Sequence, residues 1–194
     1  MRLPALRLGQ VLLGAALLVP SPLADELRQI RRGLGDPEDS PAHITLLPPT
    51  PVAACQVETV ASRIARRAEQ FGTFRVHLRG TATFRPVSPV VYAELVEGFN
   101  QCLALEALIR PAVGQTEQRF PYYPHVTVAN GCDDQALDQA QSAMAYIDTA
   151  FRVEAVAFCL LNHDGNWRDI RHLALGGDRQ MPLDDAAPRR GEAA

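Results

Sequence analysis

The chain contains two short segments in which a histidine stands two positions before a threonine. His43 and Thr45 lie in HITL, residues 43–46, and His125 and Thr127 lie in HVTV, residues 125–128. Both segments are rich in apolar and β-branched residues, as strands are, and in a strand residues i and i+2 face the same side. We therefore expect each imidazole to lie beside a hydroxyl on one face, with apolar residues on the other.

Two histidines and two hydroxyls around one groove could divide an acid–base reaction between them. The ordinary pKa of an imidazole, about 6.5, lets it accept or donate a proton near neutrality. One histidine could take a proton from a nucleophile while the other gives a proton to a leaving group. A hydroxyl beside each ring could donate to an anionic oxygen between them. The ligand that this arrangement predicts is a phosphodiester or a cyclic phosphate.

The elements that must position these segments occur twice in the same order. The predicted elements of the first half are strands at 11–19, 43–47, 73–80 and 81–87, with helices at 21–36 and 53–70. Those of the second half are strands at 89–96, 125–129, 151–161 and 168–176, with helices at 97–110 and 133–150. The tripeptide FRV also recurs, at residues 74–76 and 151–153. The chain is therefore interpreted as a duplicated unit.

Two copies of such a unit usually pack about a pseudo-twofold axis. We predict a single domain over residues 11–176, made of two pseudo-symmetric halves at 11–87 and 89–176. The fold class is α+β and bilobal, with two mostly antiparallel sheets around a central groove and the helices outside. The two histidine-containing strands would then face each other across the groove.

The N-terminal segment has two possible interpretations. Arginines followed by an apolar stretch and small residues are typical of a secretory signal, so an exported protein with a cleaved N-terminus is one hypothesis. A buried strand at residues 11–19 explains the same apolar run and has a counterpart at 89–96, and we prefer it. Residues 1–10 are then an N-terminal extension. Residues 177–194, rich in Asp, Arg, Pro and Ala, are predicted to be a disordered tail.

Composition limits the classes of function. The 194 residues are 47% apolar and 21% charged, as in an ordinary soluble domain. A net charge of −3 argues against broad binding to a nucleic-acid backbone. The apolar N-terminal stretch is too short and too interrupted by proline to span a membrane. The four cysteines form no CxxC pair, which indicates free thiols in the cytoplasm and no zinc site.

The sequence resembles the 2H phosphoesterase superfamily, which includes 2′–5′ RNA ligase-like proteins and cyclic phosphodiesterases. That superfamily is defined by two His-x-Thr/Ser-x motifs in which x is usually hydrophobic, and HITL and HVTV match them. The resemblance covers about residues 11–176 and includes the proline before the second motif, in YYPHVTV. One such motif arises by chance, but two copies at equivalent points of a duplicated unit are specific.

The resemblance implies a metal-independent phosphodiesterase without a cofactor, acting as a monomer on a 2′,3′-cyclic phosphate or a 2′–5′ phosphodiester of RNA or a nucleotide. His43 and His125 would be the catalytic pair, and Thr45 and Thr127 would bind the phosphate. By similarity His125 activates water and His43 protonates the departing ribose oxygen, with the reverse assignment left open. The substrate would be a small nucleotide or an RNA end.

Other residues near the second motif have less specific roles. Arg119 and Tyr123 are candidate substrate contacts, although aromatic residues here could equally pack in the core. Trp167 is interpreted as a packing anchor, and the three remaining histidines, His77, His163 and His172, are interpreted as structural. The alternative function is a module of the same fold that binds a nucleotide or phosphate without turning it over.

Overall fold

The computed structural model of the protein describes residues 3–34, 40–114, 120–161 and 167–177. The strands within these ranges are β1 (Gln10–Leu18), β2 (His43–Ala53), β3 (Phe74–Thr83), β4 (Val90–Glu97), β5 (Val126–Asn130), β6 (Asp148–Val153), β7 (Ala155–Leu161) and β8 (Trp167–Ala174). The α-helices are α1 (Leu23–Gly33), α2 (Val57–Ala68), α3 (Phe99–Ile109) and α4 (Asp134–Ala143). Short 3-10 helices cover Ala54–Gln56 and Arg110–Val113.

The strands form one antiparallel sheet in the order β6-β3-β4-β5-β2-β1-β7-β8. The α+β class with antiparallel strands is confirmed. The two predicted sheets are joined into one, however, because Ile44 of β2 pairs with Val126 of β5. We call the strands on the β2 side (β2, β1, β7, β8) the first lobe and those on the β5 side (β5, β4, β3, β6) the second lobe.

The strand order has a pseudo-twofold axis between β2 and β5, but the lobes are not the two sequence halves. β3 belongs to the first half of the chain and lies in the second lobe, whereas β7 and β8 belong to the second half and lie in the first lobe. The two FRV segments are therefore not equivalent. They pair directly with each other, Phe74 with Val153 and Val76 with Phe151. Each half of the sequence contributes strands to both lobes.

One apolar cluster holds the buried apolar side chains of all four helices and of one face of the sheet. The predicted stripe of α2 is buried there, at Val57, Val60, Ala61, Ile64 and Ala68. The strand predicted at residues 11–19 is confirmed, because β1 pairs with β2 on one side and β7 on the other. No helix in the described ranges is long and apolar enough to cross a membrane.

Two strands continue through residues at which the sequence predicted that they would end. β2 runs past Pro48 and Pro49, where its register with β1 shifts between the pairs formed by Leu13 and Ala15. Proline is tolerated at such an irregularity because no ladder hydrogen bond needs its missing N–H. β3 likewise passes through Gly80, which has a φ of 66° at a register shift with β4. The turn predicted near Gly80 is therefore wrong.

Two predicted elements end earlier than expected. The strand predicted at 151–161 is divided at Glu154, because β6 stays beside β3 in the second lobe and β7 crosses to β1 in the first. The helix predicted at 133–150 ends at Ala143, and the residues from Asp148 belong to β6.

Gly98, at the turn from β4 into α3, provides a test of how tightly the second lobe is packed. Its φ is 87°, and a Cβ atom there would lie 2.6 Å from the carbonyl oxygen of Arg75. We expect Gly98→Ala to lower the free energy of unfolding by about 1–3 kcal/mol, because of the left-handed backbone and this clash. Urea unfolding followed by circular dichroism measures the change.

The matched control is Gly33→Ala at the end of α1, where an added Cβ meets no atom within 4 Å. This variant is expected to be as stable as the wild type or up to about 1 kcal/mol more stable, because alanine favours a helix over glycine. Equal unfolding midpoints for the Gly98 variant and the wild type would contradict the packing described for the turn.

Candidate active site

The pairing of β2 with β5 places both His-x-Thr motifs on one face of the sheet. Ile44 and Val126 lie directly opposite each other, and both are fully buried towards the helices. Side chains alternate along a strand, so the neighbours of these two residues face away from the helices. Those neighbours are His43, Thr45, His125 and Thr127, all partly exposed.

The same register sets the spacing within this group. It places His43 level with Thr127 and Thr45 level with His125, so the two histidines are diagonal neighbours. Diagonal residues of an antiparallel pair are separated by about 7–8 Å. A charge on His125 also lowers the pKa of His43, which is consistent with two rings close together. We expect this spacing of the two backbone positions to let one phosphate bridge the rings, with hydrogen bonds of about 3 Å on each side.

A backbone carbonyl holds each imidazole in the same way. The Nδ1–H of His43 donates to the carbonyl oxygen of Pro41 at 2.6 Å, and that of His125 donates to the carbonyl oxygen of Tyr123 at 2.7 Å. A carbonyl can only accept, so Nδ1 carries the hydrogen in both rings. The Nε2 atom of each ring is therefore the one that can exchange a proton with a ligand.

Each histidine also lies against aromatic rings. The ring of His43 is 4.6 Å from that of Trp167, and the ring of His125 is 5.0 Å from Phe84 and 5.5 Å from Tyr92. Trp167, which the sequence suggested as a packing anchor, thus packs directly on one of the two histidines. These contacts restrict the rings and limit the access of water to them.

The remaining candidates lie in different places. The ring of Tyr123 packs against Phe84 and Phe99, at 5.6 and 5.0 Å, and its carbonyl orients His125. His77 bonds to Asp148 at the far edge of the second lobe, and His172 is exposed on β8. Two other candidates, at positions 119 and 163, lie outside the described residues.

Burial lowers the pKa of both histidines. The pKa of His43 is lowered to about 4, mostly by burial, with smaller contributions from the charges of Arg31 and His125 and with the Pro41 hydrogen bond acting in the opposite direction. Burial also lowers the pKa of His125, again opposed by its backbone hydrogen bond. Both rings are therefore neutral at pH 7 without a ligand. A bound phosphate would favour the charged form of either ring, because opposite charges raise the pKa of a base.

Arg31 is a charged residue beside this site that the sequence did not indicate, as Phe84 and Tyr92 are aromatic residues that it did not indicate. Only 6% of the surface of Arg31 is exposed, and its guanidinium donates hydrogen bonds to the carbonyl oxygens of Thr127 and Ser40. Its signal in the sequence is its spacing, since Leu23, Leu27 and Arg31 recur every four residues on the buried face of α1. A charged residue on an otherwise apolar helix face indicates a specific buried partner.

The acidic, histidine and cysteine side chains of the described ranges form no group of three or more that could hold a metal ion. All four cysteines are free thiols.

This fold is that of a known family. A family model described as the 2′-5′ RNA ligase superfamily matches residues 19–167, and the chain belongs to this family. The resemblance to the 2H phosphoesterases is thereby confirmed. The family supports a phosphoesterase function.

Individual relatives agree with this assignment. A protein of Staphylococcus haemolyticus with the provisional name phosphoesterase is 24% identical over 170 residues, which cover 84% of this chain and 98% of the relative. Apo E. coli LigT has a TM-score of 0.62 at 18% identity, covering 86% of this chain and 98% of its own. The Thermus thermophilus protein TT0787 has a TM-score of 0.60 at 19% identity, covering 86% and 99%. These structures share the fold.

The lowered pKa values give a direct test of the site. In a ligand-free NMR titration, we expect His43 to protonate with a midpoint at about 4 and His125 with a midpoint below the ordinary value. Both should titrate near 6.5 in the urea-unfolded chain. Assignment by single His→Gln variants distinguishes the two signals. Ordinary midpoints in the folded protein would show that the rings are not desolvated.

A consequence for stability follows with a fixed sign. Between pH 6.5 and about 4 the unfolded chain binds a proton at His43 that the folded chain excludes, so stability falls as the pH is lowered through this window. His43 is expected to account for a fall of on the order of 2 kcal/mol in the free energy of unfolding across this window. Urea unfolding at pH 7 and pH 4.5 should show that the free energy of unfolding decreases less for His43→Gln than for the wild type.

Proposed function

We propose that the protein is a phosphodiesterase that hydrolyses a 2′,3′-cyclic phosphate, or a 2′–5′ phosphodiester, of RNA or a nucleotide without a metal ion. The observation that carries this proposal is the matched pair of histidines. Each motif presents its histidine on the same face of the sheet, with Nδ1 fixed by a backbone carbonyl. The two Nε2 atoms are left to act on opposite sides of one phosphate.

The chemistry needs one ring neutral and one protonated. The neutral ring takes a proton from water as the water oxygen bonds to phosphorus. The bond from phosphorus to a ribose oxygen breaks, and the protonated ring gives that oxygen a proton. A cyclic phosphate gives a phosphomonoester with one free hydroxyl on the same ribose, and a 2′–5′ diester gives a phosphomonoester and a separate nucleoside with the freed hydroxyl. Solvent restores the two protonation states. Both rings are neutral in the free protein, so the anionic substrate would itself favour protonation of the second ring.

The threonines would hold the phosphate. Thr45 and Thr127 occupy the same face as the histidines and are partly exposed. Their hydroxyls can donate to the two oxygens of the phosphate that take no part in bond exchange. Such bonds shorten and strengthen as negative charge builds up in the transition state.

A small nucleotide substrate suits both this chain and its relatives. Structures of E. coli LigT are described in complex with 3′-AMP, with ATP and with NADP+. The chain itself has a net charge of −3, which does not favour binding of a long nucleic-acid backbone.

We also propose that the protein acts as a monomer in the cytoplasm, where its free thiols would stay reduced.

The first test is a substrate screen with site variants. Cyclic 2′,3′-nucleotides and 2′–5′-linked dinucleotides are supplied, and product is measured by chromatography. We expect His43→Ala and His125→Ala each to lose about 10²- to 10⁴-fold in turnover, because each removes one proton-transfer step. Thr45→Ala and Thr127→Ala should each cost about 1–3 kcal/mol in transition-state stabilisation, through a lost hydrogen bond to a charged group.

The control for the histidine variants is His172→Ala, on the exposed part of β8, which should keep full turnover. Chelators should leave turnover unchanged. Phosphomonoester binding by wild type without turnover of any diester would favour the alternative, a binding module of the same fold. Full activity in a variant lacking both His43 and His125 would show that the motifs are structural.

The second test is the pH dependence of kcat/KM. A reaction that needs one neutral and one protonated imidazole gives a bell-shaped profile. Since both rings have lowered pKa values, the optimum should lie on the acidic side of 6.5 for the free enzyme. The two limbs report the coupled pair, because both rings act on one phosphate. A profile that rises steadily to pH 9 would exclude a histidine as the acid.

A further inference from the structure

A second, smaller apolar cluster lies on the face of the sheet away from the helices. Its buried members, Leu12, Cys159 and Leu161, alternate with residues of the main cluster along β1 and β7, so they point to the opposite side. That side also carries the two His-x-Thr motifs. Leu12 pairs with Leu161, and Leu161 pairs with Trp167 at the start of β8. This group, which we call the site-side cluster, therefore extends across three strands to Trp167.

The segment ahead of β1, residues 3–9, covers the site-side cluster, and we call this segment the strap. Leu3 and Leu6 are partly buried against the cluster, whereas Leu8 of the same segment is fully exposed. The first residues of a domain are poorly ordered unless a contact holds them. Here two leucines packed on the sheet provide that contact.

Backbone hydrogen bonds fix the end of the strap that leads into β1. The N–H of Gln10 donates to the carbonyl oxygen of Arg7 at 3.0 Å, and the N–H of Arg7 donates to the side-chain oxygen of Gln10 at 2.9 Å. These bonds close a turn, and a turn reverses the direction of the chain. The N–H of Ala54 also donates to the carbonyl oxygen of Gly9 at 2.8 Å. The earlier residues of the strap are thereby directed back over the start of β1.

Trp167 connects the site-side cluster to the candidate site. Its side chain packs against the cluster, and its ring centre is 4.6 Å from that of His43. This separation is at the short end of the range for paired rings, so the two rings are in direct contact. The indole therefore lies between the leucines that the strap covers and one of the two motif histidines.

The support of the other motif histidine is built differently. Tyr92 on β4 lies level with the threonine of the second motif, and its ring is 5.5 Å from that of His125. The equivalent position across the pseudo-twofold axis is Ala16 on β1, level with the threonine of the first motif. The methyl group of an alanine is too short to pack on the ring of His43. That ring has its aromatic contact from Trp167 on β8 instead.

We propose that the strap is a positioning element of the candidate site, in which Leu3 and Leu6 hold Trp167 against His43. The hydrogen bond at Nδ1 fixes one atom of the imidazole and leaves the ring free to tilt about that bond. Packing against the indole removes this freedom and directs Nε2 towards the ligand. The contact of the strap with Trp167 stands on the packing alone, and its effect on turnover rests on the proposed function.

The first test uses fluorescence, because Trp167 is the only tryptophan of the chain. A double variant, Leu3→Ala with Leu6→Ala, removes the apolar contacts of the strap. Its emission should shift to longer wavelength and its quenching by acrylamide should increase, since the indole becomes more exposed to water. The matched control is Leu8→Ala, which shortens an exposed leucine of the same segment and should keep the wild-type emission.

The second test follows the ring of His43 by NMR at pH 7 without a ligand. The ring current of the indole displaces the signals of an imidazole in contact with it, and Trp167→Leu gives their positions without this effect. In the double variant the His43 signals should move towards those positions, while the His125 signals stay unchanged. Where the double variant does not fold by circular dichroism, Leu3→Ala and Leu6→Ala are compared singly.

Two outcomes of these measurements contradict the proposal. Unchanged emission in a folded strap variant would show that the leucines do not hold Trp167. A shifted emission with unmoved His43 signals would show that the strap does not act on His43. Neither result depends on a substrate.

The third test is the turnover of a 2′,3′-cyclic nucleotide. The double variant and Trp167→Leu should each lose about 10- to 10²-fold in kcat with KM within about twofold, because a misplaced catalytic ring slows the chemical step. Trp167→Phe keeps an aromatic ring and should recover most of kcat. A higher KM with unchanged kcat would overturn the positioning role and show that the indole contacts the substrate itself. If the wild type turns over no diester, the proposed function fails, and fluorescence and NMR still decide whether the strap holds Trp167 on His43.

Discussion

The candidate site depends on one residue pair, Ile44 opposite Val126, which joins the two lobes of the sheet. Both side chains are fully buried, so this register is strongly favoured by the hydrophobic effect. A shift of either strand by one residue would expose an aliphatic side chain and turn a histidine and a threonine into the apolar core. The hydrophobic burial that fixes the register of the sheet therefore also fixes the orientation of the polar groups. No further interaction is needed to bring the two His-x-Thr motifs together.

The surroundings of the histidines also change their chemistry. A partly buried imidazole is easier to keep neutral than charged, and the backbone carbonyls at Pro41 and Tyr123 compensate for only part of this effect. The free protein consequently holds two weakly basic rings beside aromatic walls. An anion placed between them would favour the charged form of one ring over its neutral form. Ligand binding and proton uptake are therefore coupled in this architecture.

The sequence predicted the α+β class, the strand at residues 11–19 and the element order around each motif, because alternation and helical periodicity are local signals. It did not predict how strands are shared between lobes. The FRV segments suggested equivalence, yet they pair with each other, and no local pattern shows which strand lies beside which. Pro48 and Gly80 suggested the ends of strands, but both strands continue through them. Whether such an irregularity is tolerated depends on the partner strand, which the local sequence does not show. Arg31 was missed because its partners are backbone carbonyls, one of them that of Thr127 in the other half of the chain.

The sharing of strands has a consequence for how the protein is made. β1, formed by residues near the N-terminus, has β7 as its neighbour on one side, and β7 is among the last strands in the chain. During synthesis one edge of β1 stays unpaired until most of the polypeptide has emerged from the ribosome. Such pairing of distant segments slows folding and exposes an apolar edge to other chains. For the same reason a cut between the two sequence halves would leave both fragments with an incomplete lobe, each able to complete only the other.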